Sequence, residues 1–356
     1  WYNYLADDMG MAENGYLLVG SVLTFGVEEK YALSGSSSEN IVSDDAFKAN
    51  YLDTVANGMA ANSADKRKQY LMTDPYPFYT TLKKSAFSGD VSATYYISNS
   101  YFITLQEYAA AAKAKGVKAG VALQSVTHYN KSKFDAIGSA GYFGSAECKV
   151  TGRVDKNGNL TSDENHIRYQ VYTALCYGYA RIDYFTYWEH FNSIAAETIR
   201  QAAVMWNYDD ASGEYFAAYQ TTYDRIKKAN AEVNGLDEVI LAFDWQGTKL
   251  ISGSSDSGNC FGNATSYSLD ETANTAVANY DLAVGCFTLS DTKGYMLVNA
   301  DDPSNARTNG VSVDFGTGYT HAICYVKGVA EVRTLSGGKL NITLGSGDGV
   351  FAVPVK

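Results

Sequence analysis

The stretch Arg168–Glu189, RYQVYTALCYGYARIDYFTYWE, is the one whose reading settles the fold class. Tyr169, Tyr172, Ala174 and Leu175 recur at spacings near three and four, which predicts a helix. Gly178 stands where a residue able to take positive φ ends such a helix. Ile182–Trp188 is then a short β-branched and aromatic run without polar alternation, the pattern of a parallel strand covered on both faces. Helix, tight turn and buried strand make half of a βαβ unit, and in such units ligands are met at the strand's carboxyl end. Thr186, Tyr187, Trp188, Glu189 and His190 are expected at that end. An apolar strand followed at once by Trp, Glu and His reads as a sugar-binding mouth. It also reads, more plainly, as a Trp packed over the core with a solvated Glu beside it.

Working outward, the same alternation recurs on the amino-terminal side. Buried-type strands are predicted at 16–25 (YLLVGSVLTF), 70–73 and 117–126 (VKAGVALQSV), with the strand at 182–188 as the fourth. Between them, Phe47, Tyr51, Leu52 and Val55 mark one face of a helix from Ala46 to Asn57. A second, Ala-rich helix runs from Ser100 to Lys115 and is closed by Gly116. In Asp74-Pro-Tyr-Pro-Phe78 two prolines turn the chain out of the second strand into a loop. Residues 129–165 form a long polar insertion, with a hairpin expected around Asn157-Gly158. A helical stretch is expected from Ile194 to Asn234. From Leu236 onward the texture changes to short strands between Gly, Asn, Asp and Ser turns: VILAFDW, LAVGCFTL, GYMLVNA, VSVDF, HAICYV, AEVRTL, KLNITL and GVFAVPV. That spacing predicts an antiparallel sandwich. The organisation is therefore α/β followed by all-β, with residues 1–235 as one domain and 236–356 as the other.

The totals narrow the partners. With 356 residues, 46% hydrophobic, the chain is long enough for two cores. Lys and Arg total 28 against 39 acidic residues, and the formal charge of −11 argues against nucleic acid or an anionic membrane surface. It fits a neutral ligand such as a glycan. No run of about 20 apolar residues is present, so no membrane span is expected. The 29 Tyr, with abundant Asn, Ser and Gly, fit a secreted or cell-surface protein. Five Cys show no metal-thiolate spacing. Cys176 is expected as a buried thiol, and Cys260 and Cys286 as candidates to pair in an oxidising compartment. The sequons at Asn130, Asn159, Asn263 and Asn341 carry meaning only in a eukaryotic source.

The motif order LLVGSVLTF, YLMTDPYPF, VKAGVALQS, RYQVYTALCYGYARIDYFTYW and an all-β tail resembles the second half of a retaining clan A glycoside hydrolase. The nearest resemblance is to the family 42 β-galactosidase-like proteins. It implies a (β/α)8 TIM barrel of which strands five to eight are present, followed by a β-sandwich. The first four strands would lie elsewhere in a longer polypeptide or on another chain. Such a half barrel is expected to leave two strand edges and an open apolar face. The alternative is a four-stranded α/β layer complete in itself. The implied activity is hydrolysis of O-glycosyl bonds by two carboxylates, with no cofactor and no metal.

In that clan the acid/base Glu follows the fourth strand, which is not in this chain, and the nucleophile Glu closes the seventh. Here the seventh strand ends in Gln124 and Ser125, and an amide is no nucleophile. The remaining candidates are Asp74, which also suits a turn-capping role, and Glu189, whose neighbour Trp188 would raise its pKa toward that of a general acid. Trp188, Tyr187 and Tyr76 offer stacking faces for sugar rings. Gln124, His128, His166 and Arg168 could line the mouth, although a lone His is more often structural and Arg168 could be a solvated helix-start residue. Two functions stay open: a glycoside hydrolase, or a non-catalytic carbohydrate-binding or surface protein on a degenerate hydrolase scaffold.

Overall fold

The computed structural model describes residues 17–21, 44–61, 65, 68–75, 77, 101–125, 127–130, 153–154, 160–161, 164–185, 188–191, 199–202, 206–209, 214–217, 220–252, 255–256, 266–269, 280–301, 303 and 307–356. For 17–21, 44, 127–130, 153–154, 160–161, 185, 188–191, 199–202, 206–209, 214–217, 220–223, 255–256 and 266–269 it describes only the backbone. Four strands form one parallel sheet: β1 (Leu17–Ser21), β2 (Gln69–Thr73), β3 (Lys118–Gln124) and β4 (Arg181–Phe185). They are neighbours in chain order, and every pairing is parallel. Parallel neighbours in chain order require crossovers, and helices supply them. They are α1 (Asp53–Ala61), α2 (Phe102–Lys115) and α3 (Glu164–Cys176). Gly116 (φ 68°) and Gly178 (φ 74°) end the last two in the left-handed region, as expected.

Strand alternation sorts the sheet's two faces. Leu71, Ala119, Val121 and Leu123 are buried under the helices. The opposite face holds Tyr70, Met72, Lys118, Ala122, Arg181 and Asp183, all partly exposed. Lys118 and Arg181 stand 5.9 and 5.7 Å from the Tyr70 ring, and Arg181 pairs with Asp183 at 3.0 Å. The expectation of an open apolar face is therefore corrected. Cations stacked on an aromatic ring make this surface tolerable in water.

The predicted helix from Ile194 is also corrected. Ile199–Ala202, Trp206–Asp209 and Glu214–Ala217 are strands, and only α4 (Gln220–Asn234) is helical. Trp206–Asp209 pairs antiparallel with Glu214–Ala217. Asp210-Ala211-Ser212-Gly213 between them is turn chemistry that a helical count had run across. The hairpin of the insertion does form, Arg153–Val154 pairing antiparallel with Leu160–Thr161.

After α4 come a one-turn α5 (Asp237–Ile240) and the all-β part. VILAFDW is thus mostly helix and turn, not strand. β5 (Asp244–Ile251), β6 (Ser255–Asp256), β7 (Ser266–Leu269), β8 (Leu282–Leu289), β9 (Thr292–Asn299), β10 (Asn309–Asp314), β11 (His321–Val326), β12 (Val329–Thr334), β13 (Lys339–Leu344) and β14 (Gly349–Val355) follow. They build a six-stranded sheet in the order β5-β8-β9-β14-β11-β12 and a four-stranded sheet in the order β6-β7-β10-β13. Val284, Tyr295 and Leu297 of the first meet Val311, Val313, Leu340 and Ile342 of the second in one core. Cys286 is disulfide-bonded; Cys260, its expected partner, lies outside the described residues.

The other face of the six-stranded sheet does not meet water. Ala283, Phe287, Met296, Val298 and Phe351 pack with Tyr169, Tyr172, Leu175 and Cys176 of α3 in a core shared with the parallel sheet. α3 is thus enclosed between two sheets, and every residue from His166 to Cys176 is buried. Close approach demands glycine at two contacts. A Cβ on Gly349 would lie 2.7 Å from the Tyr172 ring, and one on Gly285 would lie 2.2 Å from the Cys176 carbonyl.

Candidate functional site

The carboxyl ends of the parallel strands form a staggered rim. Ser21 and Thr73 are level with one another and with Val121, so β3 runs three residues further, about 10 Å, before ending at Gln124. Gln124 is level with Phe185 on β4. The end of β3 is fixed from the helix layer. Gln170 Oε1 accepts from the Gln124 backbone N–H at 2.9 Å, and its Nε2 donates to the Gln124 carbonyl at 3.0 Å. The same amide nitrogen reaches the His166 carbonyl at 3.3 Å. One amide side chain in a buried helix therefore satisfies both peptide groups of the residue at the strand's tip.

Gln124 and Ser125 are 0% and 1% exposed, and Thr73 is 1% exposed. Among the described residues the hydroxyls of Thr73 and Ser125 have no hydrogen-bond partner. A buried hydroxyl left so costs about 1–3 kcal/mol, so the rim holds groups that a polar ligand or water would stabilise. Asp74 is half-buried beside the buried Pro75. His166 is buried at the start of α3, close to the tip of β3 through Gln170.

Arg168 is engaged elsewhere, away from the rim. Its Nε and Nη2 grip Glu232 of α4 at 3.0 and 2.5 Å, Glu164 pairs with the same guanidinium, and Asp348 of the sandwich lies 4.0 Å away. Tyr172 adds a hydrogen bond to Glu232 at 3.1 Å. Burial works against the Arg168 charge, but Glu232 and Glu164 outweigh it and raise its pKa. Burial likewise pushes the Glu164 carboxyl up, while Lys228 and Arg168 together hold it below the usual range. Arg168 thus holds a carboxylate, but one that joins α3, α4 and the sandwich.

Trp188 and Glu189 do not close the parallel strand. They begin a separate strand, Trp188–Phe191, which pairs in parallel with Trp206–Asp209, Trp188 level with Trp206 and Glu189 with Asn207. His128 lies on Thr127–Asn130, level with Gln201. The side chains of these three residues, and all of Tyr76 and Tyr187, lie outside the described residues. Among the described residues no group of three or more His, Cys, Asp and Glu gathers as a metal site would require. Sequence reasoning missed Gln170, Glu232 and Thr73. An amide amid the apolar positions of α3 was the available signal for the first.

At the edge of the sheet beyond β4 lies a cleft of about 640 Å³. Its lining mixes Leu175, Ile182, Ile226 and Leu241 with Asp183, Asn230 and Asp237.

No family model and no curated protein matches this sequence. Several solved glycoside hydrolases superpose weakly. The Anoxybacillus α-amylase gives a TM-score of 0.35 at 9% identity, over 86% of this chain and 56% of the amylase. The GH30 endoxylanase of Clostridium papyrosolvens gives 0.24 at 12% identity, over 100% and 92% of the two chains. The family 44 endoglucanase of Clostridium acetobutylium gives 0.29 at 12%, over 87% and 52%. This chain spans about half the length of the first and third. At such TM-scores these likenesses carry no argument, and the reading of the site rests on its own residues.

Proposed function

We propose that the chain is the carboxyl-terminal half of a glycoside-hydrolase barrel with its appended sandwich, acting on an oligo- or polysaccharide at the rim. The observation that carries this reading is the parallel sheet: four strands adjacent in chain order, with helices on one face and a polar rim at their carboxyl ends. Its outer strands β1 and β4 pair on one side only among the described residues. The cleft beside β4 is where the helix of a further βα unit would pack, whether from a longer polypeptide or from another chain. Glu189 and Asp74 are the carboxylates this chain would contribute, the amino-terminal half of the barrel supplying the acid/base residue. Trp188, Tyr187 and Tyr76 would stack on sugar rings, with Gln124, His128 and His166 about them. The disulfide at Cys286 fits a secreted or surface location.

A second reading is supported by one observation. Gln124 stands where the resemblance requires a carboxylate, and Gln170 locks it in place. On that reading the rim binds glycan without cleaving it. Incubating the full-length polypeptide with a panel of aryl glycosides, beside a glycan array, separates the two. Release of aglycone, falling roughly 10²–10⁴-fold in Glu189→Gln or Asp74→Asn, supports the hydrolase. Array binding without release supports the binding protein, and the absence of both sinks the assignment to glycans.

A further inference from the structure

The two edges of the six-stranded sheet are built differently. At one, β5 breaks register between Trp245 and Gly247, and Lys113 of α2 donates to the Trp245 carbonyl at 2.7 Å. A bulge and a lysine are the devices that keep an edge from accepting another strand. At the other, β12 pairs with β11 in unbroken register from His321↔Thr334 to Val326↔Val329. β12 has no Pro, Gly or Lys, and Val329 and Val332 are 68% and 69% exposed. The strand is also held in place. Its hairpin turn, Lys327-Gly328 with φ of 50° and 80°, lies so close to α4 that a Cβ on Gly328 would come within 2.5 Å of the Glu232 carbonyl.

The charges on this edge are self-complementary. Glu331 and Arg333 flank Val332 on the opposite face of the strand and bond one another at 2.6 Å. Consider a second copy laid antiparallel about a twofold axis through Val332. Glu331 of each copy then stands opposite Arg333 of the other, and Val332 meets Val332. Moving the axis by one residue would set Glu331 against Glu331 in one direction and Arg333 against Arg333 in the other. The isologous register is therefore the one the charges select.

We propose that β12 is an association edge at which two copies of this chain pair antiparallel about Val332, joining their six-stranded sheets into one. A strand pair of six residues buries less surface than a permanent dimer needs, so the association is reversible and concentration-dependent. Sedimentation equilibrium of the full chain over a concentration series tests it, with circular dichroism confirming that each variant is folded. The wild type forms dimer as concentration rises. Val332→Lys and Glu331→Arg each weaken self-association by roughly tenfold or more. The double variant Glu331→Arg/Arg333→Glu, which keeps the pair within each chain and restores it between chains, recovers the dimer. A wild type that stays monomeric at every concentration would overturn the proposal. So would a dimer indifferent to both single substitutions, or a double variant no better than Glu331→Arg alone.

Discussion

α2 and α3 lie side by side on the same face of the same sheet, 14 and 13 residues long, and are built on different terms. α2 is an ordinary covering helix. Phe102, Leu105, Tyr108 and Ala109 face the core, Ile103 is 39% exposed, and Lys113 and Lys115 sit in the last turn, where cations suit the helix dipole. α3 has a second sheet on its far side and exposes nothing from His166 to Cys176. Each polar group on it therefore needs a partner in the protein. Tyr169 donates to the Ala300 carbonyl, Tyr172 to Glu232, Gln170 to the tip of β3, and Thr173 pairs with Tyr101. The difference teaches that enclosure, not helix propensity, sets what a substitution costs here.

The largest effect expected from that contrast is at Glu232. Glu232→Gln leaves the Arg168 guanidinium in the enclosed region with its bidentate carboxylate gone. About 3–5 kcal/mol of stability should be lost in urea denaturation, whereas replacing Arg168 and Glu232 together by Met and Leu should recover most of it. Next comes Gln170→Leu, which removes the amide that bonds both the N–H and the C=O of Gln124. A loss of about 2–4 kcal/mol is expected, with faster amide exchange at Gln124 than at neighbouring β3 positions. A smaller, pH-dependent effect belongs to Glu164. Because its folded pKa is depressed, its contribution is present above the ordinary carboxylate pKa and fades as pH falls through the folded value. Glu164→Gln should therefore lower the neutral plateau of a melting-temperature profile slightly and flatten its acid limb, the two proteins converging at low pH. Smallest of all is Ile103→Gln on α2, expected to stay within about 0.5 kcal/mol. A loss there matching that at Gln170 would erase the distinction between the helices.

Much of the scaffold was legible because its signals are local. Gly116 and Gly178 mark helix ends, the β-branched runs mark buried strands, and KLNITL and GVFAVPV coincide with β13 and β14. What failed depended on partners distant in sequence. Tyr169 and Tyr172 read only as one face of a helix, yet they and Tyr101 are core residues, and the hydroxyls of Tyr101, Tyr169 and Tyr172 are satisfied across 72, 131 and 60 positions of chain. Arg168 read as a rim residue because its partners, Glu232 and Asp348, lie in elements that no local pattern brings near it. The strand Trp188–Phe191 was run together with β4 because apolar continuity does not record a change of pairing partner.

The single core around α3 bears on how the chain can be divided. Composition changes near Asn234-Gly235, the natural place to cut, yet Tyr172, Leu175, Met296 and Phe351 belong to one apolar cluster spanning that point. Severed there, the amino-terminal piece would present a bare tyrosine-lined helix and the carboxyl-terminal piece a bare sheet face, both prone to aggregate. In calorimetry the intact chain should melt through one transition, so its modules are units of sequence texture and not of thermodynamics.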